Sequence, residues 1–174
     1  MNRIIAAMMI TITIPIFIFV SILIYLTSKG PIFYWSKRFG IKNKLFSMPK
    51  FRTMYCNTPD VATHLLKDPD SKVTRIGFFL RKLSIDELPQ LISICKGNMN
   101  FIGPRPALHN QYDLINLRTK FNIHNQKPGI TGWAQVNGRD NLSIEDKVNF
   151  EKYYLEKKSF LFDVKIILLT IIKI

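Results

Sequence analysis

Residues 4–26 carry no charged side chain, the longest apolar run in a chain of 174 residues. At ~1.5 Å per residue, a helix of that length matches the ~30 Å hydrocarbon layer of a bilayer. The run is longer than a usual secretion-signal core and no small-residue cleavage pattern follows it, so 1–28 is expected to stay in the mature chain as a membrane helix. Pro15 near its middle removes a backbone donor and crowds the carbonyl four residues back, which predicts a kink or break. The Thr11 and Thr13 hydroxyls stand close enough in sequence to serve the freed groups. Arg3 flanks the run on one side and Lys29, Lys37 and Arg38 on the other. If basic flanks seek the cytoplasmic face, a broken helix that enters and leaves by one leaflet satisfies both ends, whereas a kinked single span satisfies one. The residues are compatible with either form.

Beyond 28 the apolar periodicity shortens and changes. Gly30-Pro31 reads as a turn, and 32–35 and 45–54 as short extended runs separated by the Lys-rich turn 40–44. Thr58-Pro59 resembles an N-cap and first helical residue opening a helix through Leu66. Residues 68–71 read as a loop. Ile76, Phe79, Leu80 and Leu83 have helical spacing, and a second helix is expected from 86 to 95, stopping at Gly97. Pro104-Arg105-Pro106 is steered to extended backbone. Residues 108–121 and 143–157 read as helices, the latter opened by a capping-box-like Ser143 and Asp146. Pro128-Gly129, Gly132 and Gly138 punctuate an irregular stretch. The apolar helix 163–174 is too short to span a bilayer and either packs in the core or lies in the interface. The pattern is that of one domain, 29–174, behind the membrane segment.

Charge changes the picture. The formal net charge is +13, and only Arg3 precedes the apolar run, so the excess sits on 29–174. A basic domain beside a bilayer suits anionic head groups, phosphorylated substrates or nucleic acid, and also simple solubility. No aromatic–basic nucleic-acid surface is apparent, so no nucleic-acid partner is expected. Cys56 and Cys95 have no metal or redox spacing and agree with a reducing compartment, and the three histidines are scattered. Phosphate-loop, dinucleotide, serine-hydrolase and zinc-protease motifs are all missing.

The densest chemical signal is Ser84-Ile85-Asp86-Glu87-Leu88-Pro89. Ser84 with Glu87 matches a capping box; alternatively Asp86 is itself the cap, with Pro89 harmless in the first turn. The same placement also suits chemistry. A carboxylate held at a helix start stays ionised with a fixed direction, able to attack phosphorus or bind Mg2+. Attack on an anionic diphosphate requires cations, and candidates are plentiful and concentrate around turns: Lys50, Arg52, Arg75, Arg81, Arg105 and Arg139. Arg105, held between two prolines, suits bidentate phosphate binding.

Several motifs occur in order: Gly30-Pro31-Ile32-Phe33; Lys50-Phe51-Arg52-Thr53-Met54; 80–91, from Leu80-Arg81 through Asp86-Glu87-Leu88-Pro89-Gln90-Leu91; Gly103-Pro104-Arg105-Pro106; and 128–139, from Pro128-Gly129 through Gln135 to Arg139. Together they resemble the bacterial sugar transferase family, small monotopic polyprenyl-phosphate phosphoglycosyl transferases, over nearly the whole chain. The resemblance implies an α/β mixed, mostly helical fold, with a proline-broken re-entrant membrane helix (bend at Pro15) and a small interfacial catalytic domain. It implies that Asp86 attacks the sugar-linked phosphate of a UDP-sugar and releases UMP, and that undecaprenyl phosphate then takes the phospho-sugar. Glu87 would assist, Asp86 and Glu87 would hold Mg2+, and Lys50, Arg52, Arg81, Arg105, Gln135 and Arg139 would bind phosphate and substrate. The implied location is the cytoplasmic face of the bacterial inner membrane, among its lipids, with a homodimer left open.

Three positions depart from the family pattern. Ile14 replaces the usual serine before the membrane proline, the basic-aromatic-acidic lead is represented only by Met1-Asn2-Arg3, and Asn98 replaces the aspartate of Lys-Gly-Asp-Met. None touches Asp86 or Glu87. The competing expectation is a non-catalytic, membrane-attached basic scaffold that binds anionic lipid.

Overall fold

The computed structural model describes residues 2–59, 68–138 and 141–172. The chain is mixed α/β and mostly helical, in the order α1 (Asn2–Thr27), β1 (Phe33–Phe39), β2 (Leu45–Phe51), α2 (Arg75–Lys82), α3 (Gln90–Cys95), β3 (Asn100–Ile102), α4 (Tyr112–Lys120), β4 (Gly129–Thr131), α5 (Trp133–Val136), α6 (Ile144–Lys157) and α7 (Phe160–Ile172). The helix expected from Thr58 through Leu66 lies, after Pro59, outside the described residues. The chain divides into two compact units. The first takes residues up to 36 together with 47–95, and the second takes 37–46 with 96–174. The end of α1 is built into the core of the first unit, through Val20 and Ile24.

α1 is long and apolar enough to cross a membrane, with a mean hydropathy of 2.6. Only Ala6, Val20 and Ile24 are buried along it, whereas Ile4, Met8, Ile12, Phe19 and Leu26 point outward. An all-round apolar helix with so little burial presents a surface suited to acyl chains rather than water. The helix continues through Pro15. The threonine hydroxyls do not serve the Thr11 carbonyl, whose helical partner would be the proline nitrogen. Thr13 donates to the Met9 carbonyl (2.7 Å) and the Ile10 carbonyl (3.2 Å), and Thr11 to that of Ala7 (3.1 Å). Such back-bonds are the ones that bend helices locally.

In the first unit, Val20 and Ile24 pack with Phe51 and Leu80, flanked by Phe17, Phe33, Ile85 and Leu88. The Phe51 ring lies 5.2 Å from that of Phe17 and 5.3 Å from that of Phe33. β1 and β2, whose residues are divided between the two units, pair as a hairpin. α2 starts at a cap in which the Thr74 hydroxyl accepts from the Gly77 N–H at 3.0 Å. A side chain at Gly77 would collide with the Thr53 backbone, so only glycine lets α2 lie against the segment after β2. The expected apolar face of α2 is half right. Leu80 is buried, but Phe79 and Leu83 are exposed, as is Phe78.

In the second unit, β3 and β4 pair in parallel, Asn100 with Gly129 and Ile102 with Thr131. Ala107, Leu114, Ile115, Ile123 and Val148 form one cluster, and Val136, Tyr154 and Ile166 another. The Ser143 cap of α6 forms as expected, its hydroxyl accepting from the Asp146 N–H at 3.0 Å. α7 sends Ile166 into the core, while Phe160, Leu161, Leu168 and Ile171 face outward.

Candidate active site

The carboxylates sit in a tight connection between α2 and α3. Ser84 adopts the left-handed conformation (φ 54°) and makes no side-chain cap, and the residues Ile85–Glu87 form one 3-10 turn. Neither capping reading holds. The reversal at Ser84 turns its hydroxyl off the following N–H groups, and Asp86 lies inside the turn rather than ahead of it. The turn buries Asp86, at 6 % exposure, and leaves Glu87 half-buried.

Lys50, from the end of β2, reaches both carboxylates. Its ammonium donates to Glu87 Oε1 at 2.8 Å and stands 3.7 Å from Asp86 Oδ2. All three side chains are largely shielded, with exposures of 17 %, 18 % and 9 % for Lys50, Glu87 and Asp86. Two carboxylates close together repel, and the ammonium offsets that repulsion.

Arg81 approaches from α2, its Nε donating to the Thr53 hydroxyl at 2.9 Å. Burial lowers its pKa from the usual arginine value, opposed by the negative charges of Asp86 and Asp70. The Asp86 charge is thus close enough to act on the guanidinium.

Arg52 reaches the end of α1. It is buried, and its two Nη atoms donate to the Lys29 carbonyl (2.5 Å), the Ser28 carbonyl (2.7 Å) and the Ser28 hydroxyl (2.7 Å), with Cys56 Sγ at 2.9 Å. Those carbonyls close the end of α1, where unpaired C=O groups and the helix dipole both favour a cation. The guanidinium fastens the end of α1 to the segment after β2. Arg52→Lys keeps the charge but not the fork, and should cost about 1.5–3 kcal/mol of stability. A fall in the melting temperature of the detergent-solubilised chain would show this.

Arg105 and Gln135 belong to the second unit. Arg105 is held as its flanking prolines suggest: the Pro104 carbonyl accepts from the Gly129 N–H at 2.9 Å, and the Pro106 carbonyl from Arg38 Nη1 at 3.1 Å. Gln135 lies on α5, and both polar atoms of its amide are buried with no hydrogen-bond partner among the described residues. Arg139 lies outside the described residues. The sequence reading missed Thr53, which holds Arg81, and Gln90, which is 1 % exposed at the start of α3.

Among the described residues no three His, Cys, Asp or Glu side chains cluster for metal. Two carboxylates are nevertheless a suitable donor set for Mg2+, which prefers oxygen, keeps several waters and completes its shell with substrate phosphates. Asp86 and Glu87, drawn to one cation by Lys50, fit that role.

The family described as bacterial sugar transferase matches residues 1–174. The chain is 40% identical over 162 residues to an uncharacterized sugar transferase, EpsL, of Bacillus subtilis, covering 93% of this chain and 79% of that protein. It is 35% identical to the UDP-glucose:undecaprenyl-phosphate glucose-1-phosphate transferase of Escherichia coli over 98% of this chain and 38% of that protein. It is 37% identical to a UDP-N-acetylgalactosamine-undecaprenyl-phosphate N-acetylgalactosaminephosphotransferase of Aeromonas hydrophila, over 90% of this chain and 38% of that one. The chain thus spans most of the Bacillus relative but well under half of the other two.

Proposed function

Because the chain belongs to the bacterial sugar transferase family, we propose that it moves a sugar-1-phosphate from a UDP-sugar to undecaprenyl phosphate at the cytoplasmic face of the inner membrane. The observation that carries this reading is the shielded triad of Asp86, Glu87 and Lys50. It joins an ionised, directed carboxylate to a cation that can pass to an incoming phosphate.

In the first step an Asp86 carboxylate oxygen attacks the sugar-linked phosphorus of the donor. The bond from that phosphorus to the bridging oxygen breaks, and the oxygen leaves with the electron pair as part of UMP. Asp86 then holds the phospho-sugar as an acyl phosphate. In the second step an oxygen of undecaprenyl phosphate attacks the same phosphorus, the bond to Asp86 breaks, and the carboxylate is restored as the lipid diphosphate forms. Covalent capture divides one difficult transfer into two easier ones. Mg2+, held by Asp86 and Glu87 when bound, supplies charge neutralisation for the diphosphate. Lys50 and Arg81 add positive charge from the protein, and Arg105, Gln135 and Arg139 contribute substrate contacts.

Membrane seating follows from the acceptor, whose phosphate lies at head-group depth. A re-entrant α1 bent at Pro15 would keep both basic flanks on the cytoplasmic side. Support comes from the first turn, where Cys95 at the end of α3 contacts the Arg3 carbonyl at 3.8 Å, while Val20 and Ile24 far along α1 pack in the same unit. Single cysteines near residues 2 and 30 should both be shielded from periplasmic label; labelling of either end rules out the re-entrant form.

The activity test is UMP release by the full chain from UDP-glucose, UDP-N-acetylgalactosamine and other UDP-sugars, with undecaprenyl phosphate and Mg2+. Release that needs the metal supports the transferase. Lipid binding with no release from any sugar would favour the basic scaffold instead. In the same assay Lys50→Gln should slow release by about 100-fold, the scale of losing one preorganised cation.

A further inference from the structure

Gln90 opens α3 four residues after Asp86, and neither Nε2 nor Oε1 of its buried amide has a hydrogen-bond partner among the described residues. Burial recurs at Asp86, Pro89, Gln90, Leu91, Ser93 and Ile94. That three-to-four-residue spacing puts Asp86 and Gln90 on one inward-facing stripe. An unpaired buried amide carries the full cost of its desolvation, and a methionine would fill the same space without that cost. Such an unmade bond inside a fold points to a use in another state of the site.

We propose that Gln90 is a positioning residue that aims Asp86 during transfer. In the free chain the Lys50 ammonium compensates the Asp86 carboxylate from 3.7 Å. An incoming diphosphate competes for that ammonium. As Lys50 turns to the phosphate, the Gln90 Nε2–H donates to an Asp86 carboxylate oxygen in its place and keeps the other oxygen directed at phosphorus. Glutamine and aspartate three or four residues apart are within reach of one another along a helical segment, and donation to a carboxylate is a strong form of the bond. The inference rests on the transferase reading of Asp86.

The test compares the full-length parent with Gln90→Met in detergent, by melting temperature and by steady-state UMP release from the preferred UDP-sugar. The expected result is a melting temperature at or above the parent's, with kcat reduced about 10- to 100-fold and KM for the UDP-sugar within about twofold. Misaiming affects the chemical step, whereas a purely structural amide would change stability. A variant that melts below the parent, or fails to fold, shows the amide to be structural and overturns the proposal. Unchanged kcat, or a rise in KM alone, overturns it as well. A parent that releases no UMP from any UDP-sugar refutes the transferase reading itself, and the melting comparison still decides whether the amide is structural.

Discussion

Replacing Asp86 with asparagine is expected to reduce UMP release by about 1,000-fold or more, the scale on which enzymes lose activity with their nucleophile. The amide is nearly the same size, but its nitrogen and oxygen are poor nucleophiles and it carries no charge. The change should leave the fold in place, because Lys50 keeps its 2.8 Å bond to Glu87 and Arg81 keeps its bond to Thr53. Glu87→Gln provides the contrast. It removes the Lys50 partner and one metal-binding oxygen pair but not the attacking group, so a smaller loss of roughly 100-fold is expected. A UDP-sugar labelled in the sugar separates the two roles. The parent and Glu87→Gln should retain label on the protein when undecaprenyl phosphate is withheld, and Asp86→Asn should retain none. Release from Asp86→Asn at the parent's rate would remove Asp86 as the nucleophile.

The parts of this fold that could be read from sequence are those set by local rules. A charge-free run makes α1, and the extended runs around the Lys-rich turn make the β1–β2 hairpin. Ser143 and Asp146 start α6 as their spacing suggests. Ser84 shows where a local rule stops. Its spacing from Glu87 is that of a cap, yet Ser84 adopts a left-handed backbone without a side-chain cap, in a connection whose neighbours Leu80, Ile85 and Leu88 pack with Val20 and Ile24 of α1. β3 and β4 are three residues each, too short to show a period, and they pair across a long stretch of chain. The interleaving of the two units is equally a matter of long-range contacts. For the site, the adjacent carboxylates and the list of cations were legible, but not which cation does what. Lys50 lies far from Asp86 in sequence, so no spacing rule joins them. An arginine that closes a helix end, like Arg52, has the same sequence signature as one that binds phosphate. Gln90 was hidden among motif residues because its distinguishing property, burial without a partner, exists only in three dimensions.

The largest stability effect is expected where the second unit buries charge. Arg118 on α4 and Glu151 on α6 are 8 % and 2 % exposed, and they form a two-pronged pair: Nε donates to Oε2 at 2.7 Å, and Nη2 donates to Oε1. Glu151→Leu leaves the guanidinium buried without its counter-charge. Removing one partner of such a pair costs about 3–5 kcal/mol, a large share of the ~5–15 kcal/mol that holds a typical domain together. Arg118→Met alone should be similarly costly, because the carboxylate is then stranded. The double variant Arg118→Met with Glu151→Leu should recover most of the loss, since apolar groups of similar size need no solvent and no partner. Denaturant unfolding of the four proteins in detergent measures the coupling directly. Single variants costing under about 1 kcal/mol would mean that water reaches the pair and screens it. Activity should follow stability rather than chemistry here. α5, which carries Gln135, packs on α6, so loosening α6 displaces a residue assigned to substrate binding without touching Asp86. The double variant should therefore regain UMP release together with its melting temperature, the opposite of the separation between stability and rate expected at Gln90.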